Sequence, residues 1–331
     1  MTGPASVTRV EFPGLFDLQV NGFAGVDFNA PDLTSDAVGV ALETMRACGV
    51  TRVLPTLITS SLADFAASAR VLASVNDDAI AGIHMEGPYL SPDDGPRGAH
   101  PREHVTAAST DDFERRQAAA LGRIVLVTLA PEVPGALPLI ESLVAAGVRV
   151  AIGHTAASQQ QLADAVAAGA TLATHLGNGC AAVLPRHPNV IWEQLAADAL
   201  YASLIVDGHH LPPATVKAMV RAKGVDRTIL VTDATAAAGR VPGRYRMGAV
   251  DCELGADGRV SLAGTPFLAG SSLTLDRAIA TTVRFTGLPI ETVIPMASAI
   301  PAQYLGKTTA GTVTADWDTE RFELRILNVT P

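Results

Sequence analysis

Cysteine is scarce in this chain. Cys48, Cys180 and Cys252 are the three present among 331 residues, and they are widely spaced. They cannot make a disulfide framework, which points to a reducing compartment. Also missing is any apolar run of about 18 residues, the length needed to span a bilayer. The opening MTGPASVTRVEFPG lacks the charged-then-apolar layout of a secretory leader, so a cytoplasmic protein is expected. Lysine and arginine form no cluster, and the net charge is −9. That argues against a general nucleic-acid or anionic-membrane surface, while leaving room for a local cationic pocket. No Ser/Gly tract, charge run or low-complexity segment divides the chain, and no repeat of 20–50 residues occurs.

What is present is an alternation within a chain that is 48% hydrophobic and 17% charged. This composition suits one large buried domain, alone or with a small appendage. Short apolar runs at 14–20, 50–57, 79–86, 123–130, 149–154, 171–175, 202–208 and 228–233 lack polar alternation, as strands covered on both faces do. Helical patterns lie between most of them. SDAVGVALETMRACG (35–49) carries apolar residues at 3–4 spacing, a capping serine and a terminal glycine. A hairpin-like stretch (245–264) and two further helices, from Leu273 and near Pro289, follow the eighth run. Eight strand–helix units predict an α/β fold, a (β/α)8 TIM-like barrel. The rival is an open doubly wound sheet, which would often carry a glycine-rich phosphate turn after its first strand; NGFAGVDF does not fit that pattern.

In a parallel barrel, chemistry gathers at the carboxyl ends of the strands. Here those ends carry Gln19 and Asn21, Glu86 (HMEGP), His154 (IGHT), His175 (THLGN), Asp207 (VDGHH) and Asp233 (VTDAT). Each alone is as well explained by a helix cap or a satisfied core polar group. Glu86, His154 and His175 in one barrel mouth, however, have the composition of a hydrolytic metal site with a position left for water. Asp233 would face the same centre as a general acid/base; its alternative role is to cap the following helix.

The motifs, in order, resemble those of the N-acetylglucosamine-6-phosphate deacetylase family of the amidohydrolase superfamily. PGLFDLQVNGFAGVDFN, HMEGPYLSP followed by GAH, IGHTAAS, THLGNG, IVDGHH, LVTDATAAAG and LAGSSLTLD carry the resemblance, from about Pro13 to Tyr304. It implies Glu86, His154 and His175 as metal ligands and Asp233 as the catalytic acid/base. His100 would help polarise the scissile carbonyl, and Ala99 with His100 would hold the sugar. Asn178, Gly179, Arg186, Asp207, His209 and His210 would line the substrate and its phosphate, and Leu268, Ala269 and Gly270 would offer a backbone contact. Where many superfamily members hold a second metal with a His-x-His pair, this chain has Gln19-Val20-Asn21. Amides are poorer ligands, so one divalent ion is expected, Zn(2+) before Fe(2+), Co(2+) or Mn(2+).

The barrel domain is expected over 13–310. Residues 1–12 and 311–331 would form short terminal segments, with the family's small β-sandwich reduced or absent and VTRVEF pairing with FELRIL as its remnant. The segment GNGCAAVLPRHPNVIW departs from the family's usual pattern, and His209 is an additional histidine. The expected activity is hydrolysis of an N-acetyl amide on an amino sugar, with N-acetylglucosamine 6-phosphate as first substrate and a homodimer as the assembly the resemblance implies. Two alternatives stay open: the same machinery on another amide, such as an unphosphorylated N-acyl amino sugar, an acylated aminoglycoside or a cyclic amide, and a barrel that binds sugar without turnover.

Overall fold

The computed structural model describes residues 7–330. Eight parallel strands run in chain order around one sheet: Leu15–Val20, Val50–Ile58, Ile83–Glu86, Ile124–Leu129, Arg149–Ile152, Leu172–Ala173, Tyr201–Leu204 and Thr228–Leu230. The eighth meets the first through the Val20–Ala234 bridge and a 2.9 Å hydrogen bond from the Asp233 amide to the Gln19 carbonyl. This nearly closes the barrel, and the open doubly wound sheet is set aside.

The intervening helices form where the pattern places them. Ser35–Ala47 is capped by the Thr34 hydroxyl, which accepts the Ala37 amide, and not by the expected serine, which is its first helical residue; the helix buries Val38, Ala41, Leu42 and Met45, one stripe at helical spacing. Gln159–Ala167 begins with a reciprocal capping box between Ser158 and Gln161. Pro213–Lys223 has proline in its first turn, where a missing N–H costs nothing. Truncating a buried leucine on such a stripe, Leu42 for example, costs about 2–5 kcal/mol.

The fifth to eighth strands all stop earlier than the apolar runs suggest, and the sixth and eighth do so at a left-handed turn. The sixth ends at Ala173, because His175 has a φ of 30° and turns its amide to the Ser203 hydroxyl at 2.7 Å. The eighth ends at Leu230, three residues before Asp233 departs at a φ of 51°. The apolar runs thus outlast the strands, and the extra residues form the mouth of the barrel. Beneath them a polar thread crosses the interior: the His84 ring lies 2.8 Å from the Thr128 hydroxyl, which lies 2.8 Å from that of Thr174.

Two smaller sheets flank the barrel. The hairpin-like stretch is a three-stranded antiparallel sheet, Gly243–Met247, Val250–Leu254 and Val260–Leu262. The chain ends build another from Val7–Pro13, Thr312–Asp318 and Glu323–Thr330. Its order corrects the expected pairing: Val7–Pro13 and Glu323–Thr330 both pair with Thr312–Asp318, which lies between them. The middle strand alternates buried Val313, Ala315 and Trp317 with half-buried neighbours, so one face must be covered by the barrel helices. Residues 1–6 and 331 of the expected terminal segments lie outside the described residues.

Candidate active site

The third, fifth and sixth strand ends bring Glu86, His154 and His175 together, all buried. Nε2 of His175 lies 3.1 Å from Oε1 of Glu86 and 3.0 Å from Nε2 of His154, whose own distance to Oε1 is 3.4 Å. A tetrahedral ion with bonds of about 2.0–2.1 Å needs ligand atoms about 3.3 Å apart, so the spacing fits. The proton inventory fits as well. Nδ1 of His154 lies 2.9 Å from the carbonyl oxygen of Pro96, which can only accept, so the ring proton sits there and Nε2 turns a lone pair inward. Two imidazoles and a carboxylate suit a borderline divalent ion.

These groups perturb one another. Burial alone would raise the Glu86 carboxyl, but the hydrogen bonds and charges of His154 and His175 outweigh it and hold the group well below its usual range. Burial disfavours a charged His175 ring, and Glu86 reverses that, raising it. Both shifts show a carboxylate placed to meet positive charge.

Asp233 stands beside this cluster with one oxygen held by the first strand. Its Oδ1 accepts from the amides of Asn21 at 2.7 Å and Gln19 at 3.1 Å, and the Gln19 amide also donates to Oε1 of Glu86 at 2.8 Å. Gln19 and Asn21 therefore act through their N–H groups as donors to carboxylates. Burial, then the charge of Glu86, pushes Asp233 up to about 6, a range suited to passing a proton near neutrality. Gly270 backs it: a Cβ there would lie 2.9 Å from the Asp233 carbonyl oxygen and 2.5 Å from Thr235.

His100 completes the inner ring. Its Nδ1 lies 2.9 Å from the Thr59 hydroxyl and receives the Thr59 amide at 3.4 Å; its Nε2 is 3.2 Å from that of His154. A backbone N–H can only donate, so Nδ1 offers a lone pair and the proton sits on Nε2, facing the centre. Burial, then the neighbouring His154, lowers this ring to about 3. It is a neutral donor.

The other predicted residues spread outward. Asn178 donates to the His175 carbonyl at 3.1 Å, and a Cβ on Gly179 would lie 2.8 Å from His154 Nδ1. Ala99 packs with buried Ala269 against the small antiparallel sheet, and Leu268 bridges to Ser261 of its last strand. Asp207 accepts from the amides of His209 and His210, both at 2.8 Å, and from the His210 ring at 2.7 Å. That pair aims His210, whose charge reaches Asp233. His209 turns instead to the Asp257 carbonyl, 3.2 Å away, and ties the strand-end loop to the small sheet. Arg186 lies on an exposed stretch, 185–188.

Residues that motif reasoning passed over hold the rest in place: Pro96, Thr59, Ser203, and the buried pair Asp17 and Thr232. The one available signal was Asp17, a charge in the middle of the apolar run GLFDLQV.

A nearly closed (β/α)8 barrel with a Glu/His/His centre beside an aspartate at the eighth strand end defines a class, the metal-dependent barrel hydrolases. The chain belongs to the Amidohydrolase family, whose model matches residues 11–318. It is 35% identical over 301 residues to the N-acetylglucosamine-6-phosphate deacetylase of Vibrio furnissii, covering 89% of this chain and 73% of that protein. It is 34% identical over 314 residues to an N-acetylgalactosamine-6-phosphate deacetylase of Escherichia coli O157:H7, covering 92% and 81%. The Mycobacterium smegmatis N-acetyl-D-glucosamine-6-phosphate deacetylase, solved as an aspartate-to-alanine mutant in complex with N-acetyl-D-glucosamine-6-phosphate, superposes with a TM-score of 0.89 at 32% identity, covering 97% of this chain and 86% of that one. Among the described residues no helix is long and apolar enough to cross a membrane.

Proposed function

We propose that this chain hydrolyses the N-acetyl amide of an amino-sugar 6-phosphate, N-acetylglucosamine 6-phosphate first, giving acetate and the free amine. The observation that carries this reading is the meeting of Glu86, His154 and His175 at 3.0–3.4 Å beside a carboxyl group, Asp233, that no cation-binding role uses.

Glu86, His154 and His175 would hold one divalent ion, for which zinc suits the N/O donor set. Such an ion supplies Lewis acidity and makes water a nucleophile at neutral pH. The chain's own groups do the rest. Asp233, fixed by Gln19 and Asn21, takes a proton from the attacking water as the new C–O bond forms. The Nε2–H of His100 points to where the carbonyl oxygen gains charge and stabilises it by hydrogen bonding. Asp233 then delivers its proton to the amide nitrogen as the C–N bond breaks, so the amine leaves neutral and the acetic acid formed gives its remaining proton to solvent as acetate. Burial of the whole ring strengthens these interactions by excluding water. His210, aimed by Asp207, and Arg186 are the groups assigned to the phosphate, since guanidinium can bind two phosphate oxygens at once.

A second reading is favoured by the relative named an N-acetylgalactosamine-6-phosphate deacetylase: an epimeric sugar phosphate would occupy the same mouth. Acetate release from N-acetylglucosamine 6-phosphate, N-acetylgalactosamine 6-phosphate and unphosphorylated N-acetylglucosamine, compared by kcat/KM, tests both. The glucosamine phosphate is expected to lead. A lead for the galactosamine phosphate selects the second reading. Equal rates with and without phosphate remove the phosphate assignment, and no acetate from any of them removes the deacetylase proposal.

A further inference from the structure

Asp233 adopts a backbone conformation that a residue with a side chain seldom takes, φ 51°. Something must hold it there. Three of its anchors are backbone groups: its amide donates to the Gln19 carbonyl at 2.9 Å, its carbonyl accepts from the Ser271 amide at 2.9 Å, and the next residue, Ala234, sends its carbonyl to the Asn21 amide at 2.7 Å. The fourth is a buried carboxylate. Asp17, wholly inaccessible to solvent, lies on the first barrel strand and points into the interior. Its Oδ2 accepts the Thr232 hydroxyl at 2.6 Å; its Oδ1 accepts the Thr232 amide at 3.2 Å and the Gln19 amide at 3.2 Å.

Thr232 is locked from its other side too. Its hydroxyl accepts the Ala234 amide at 3.2 Å, and its carbonyl accepts the Ser271 hydroxyl at 2.5 Å. The Thr232 hydroxyl donates its own proton to Asp17 Oδ2 at 2.6 Å, a nearer acceptor than the Gln19 carbonyl at 3.4 Å. Thus one carboxylate grips the residue before Asp233 by both amide and hydroxyl, and grips as well the amide of Gln19, whose side chain donates to Asp233. Burying a carboxylate is expensive unless it is fully hydrogen-bonded; burial pushes the Asp17 carboxyl up to about 7 even with these partners, and none of its hydrogen bonds goes to Glu86, His154 or His175. A barrel interior filled with hydrocarbon would be the cheaper solution if packing were the only demand.

We propose that Asp17 is a positioning residue for the reaction, holding the Asp233 carboxyl at its working position by gripping Thr232 and Gln19. The inference rests on the reading of Asp233 as the proton carrier. Asp17→Asn replaces one acceptor oxygen with a donor that faces the Thr232 hydroxyl or amide, so Asp233 should relax out of the left-handed region. A displacement near 1 Å is enough to cost about 10²-fold in turnover.

The test measures acetate release from N-acetylglucosamine 6-phosphate, bound metal and a crystal structure for Asp17→Asn, Thr232→Val, Thr232→Ser and Asp233→Asn. Asp17→Asn should lower kcat about 10²-fold, with KM and metal content as in the parent enzyme, a shifted acid limb of the pH–rate profile, and Asp233 moved off φ 51°. Thr232→Val, which removes only the hydroxyl, should act in the same direction, and Thr232→Ser should restore parental kcat. If Asp17→Asn does not fold, Thr232→Val decides. Parental kcat and pH profile in a folded Asp17→Asn or Thr232→Val, even with a lowered melting temperature, overturn the inference, since that is the mark of a structural brace. A kcat loss with Asp233 unmoved overturns it as well. Near-parental turnover in Asp233→Asn would instead remove the proton-carrier reading itself, leaving the two failures distinct.

Discussion

The centre of the barrel mouth and its rim are built on opposite terms. At the centre, Glu86, His100, His154, His175 and Asp233 are all buried, and each but His175 has a polar partner behind it as well as in front. His154, His175 and Asp233 also take left-handed backbone conformations. A residue with a side chain pays about 1–3 kcal/mol for each such conformation, and these persist only when the surroundings over-determine them. On the rim, Arg186 belongs to the exposed stretch 185–188, and His209 spends its ring on a loop carbonyl. Of the six positive-φ residues other than glycine among those described, three stand at this centre, and none belongs to the exposed stretch 185–188.

The largest effects should therefore come from the centre, and they should separate by type. Glu86→Gln removes a charged ligand oxygen and leaves two histidines converging on nothing negative; bound metal and turnover should both be lost, as metal analysis and acetate release would show. Asp233→Asn should keep the metal and lose about 10²–10⁴ in kcat. If Glu86→Gln retains a full complement of metal, the centre is not a three-ligand site. Next comes Gly179→Ala. Its φ of 60° disfavours a side chain, and the new Cβ would press His154 at 2.8 Å from Nδ1, where the Pro96 carbonyl is bound. Disturbing a partner that orients a ligating histidine costs about 10–100-fold in metal affinity, measurable by competition with a chelator. Parental affinity would mean that His154 is less tightly held than the rest of the centre.

How far the sequence could be read follows the same division. Strand–helix alternation and polar strand ends were enough to predict a barrel and to gather Glu86, His154, His175 and Asp233, because each sits where a periodic element stops. The order of the terminal sheet was not readable: Val7–Pro13 and Glu323–Thr330 are both compatible with direct pairing, and the strand that separates them carries the same alternating pattern. The work of Gln19 and Asn21 was ambiguous for a chemical reason, since an amide can offer oxygen to a metal or N–H to a carboxylate, and only the position of Asp233 chooses. The direction of His209 depended on a turn near Asp257 that is 48 residues away in sequence. Left-handed backbone at His154 and Asp233 leaves no trace in residue type at all.

Arg186 tests the rim directly. Arg186→Ala should leave metal content unchanged and raise KM for the phosphorylated sugar by about tenfold or more, the equivalent of one charge-assisted hydrogen bond at about 1.5–3 kcal/mol. The unphosphorylated sugar should show no change. Because the contact is made at an exposed position, the effect should shrink with added salt. An equal loss on both sugars would place Arg186 among the groups that hold the mouth together, and the boundary drawn here between centre and rim would move outward.

The smallest effect concerns how the rim is attached. Asp27 accepts the Gly248 amide at 2.6 Å and the Asn29 amide at 2.9 Å, and so pins the tip of the small antiparallel sheet to the barrel. Burial raises its carboxyl from 3.8 to about 6, although those amides and Arg246 pull the other way. A folded-state value above the unfolded one means that the native chain keeps this proton longer than the unfolded chain does. Its contribution to stability is complete below about pH 4 and is lost as the pH rises through about 6. Asp27→Asn cannot titrate, so the stability difference between parent and variant should drift by about 1–3 kcal/mol across that window, read from urea unfolding at either end of it. A flat difference would show that water reaches Asp27, and that the rim is loosely attached as well as exposed.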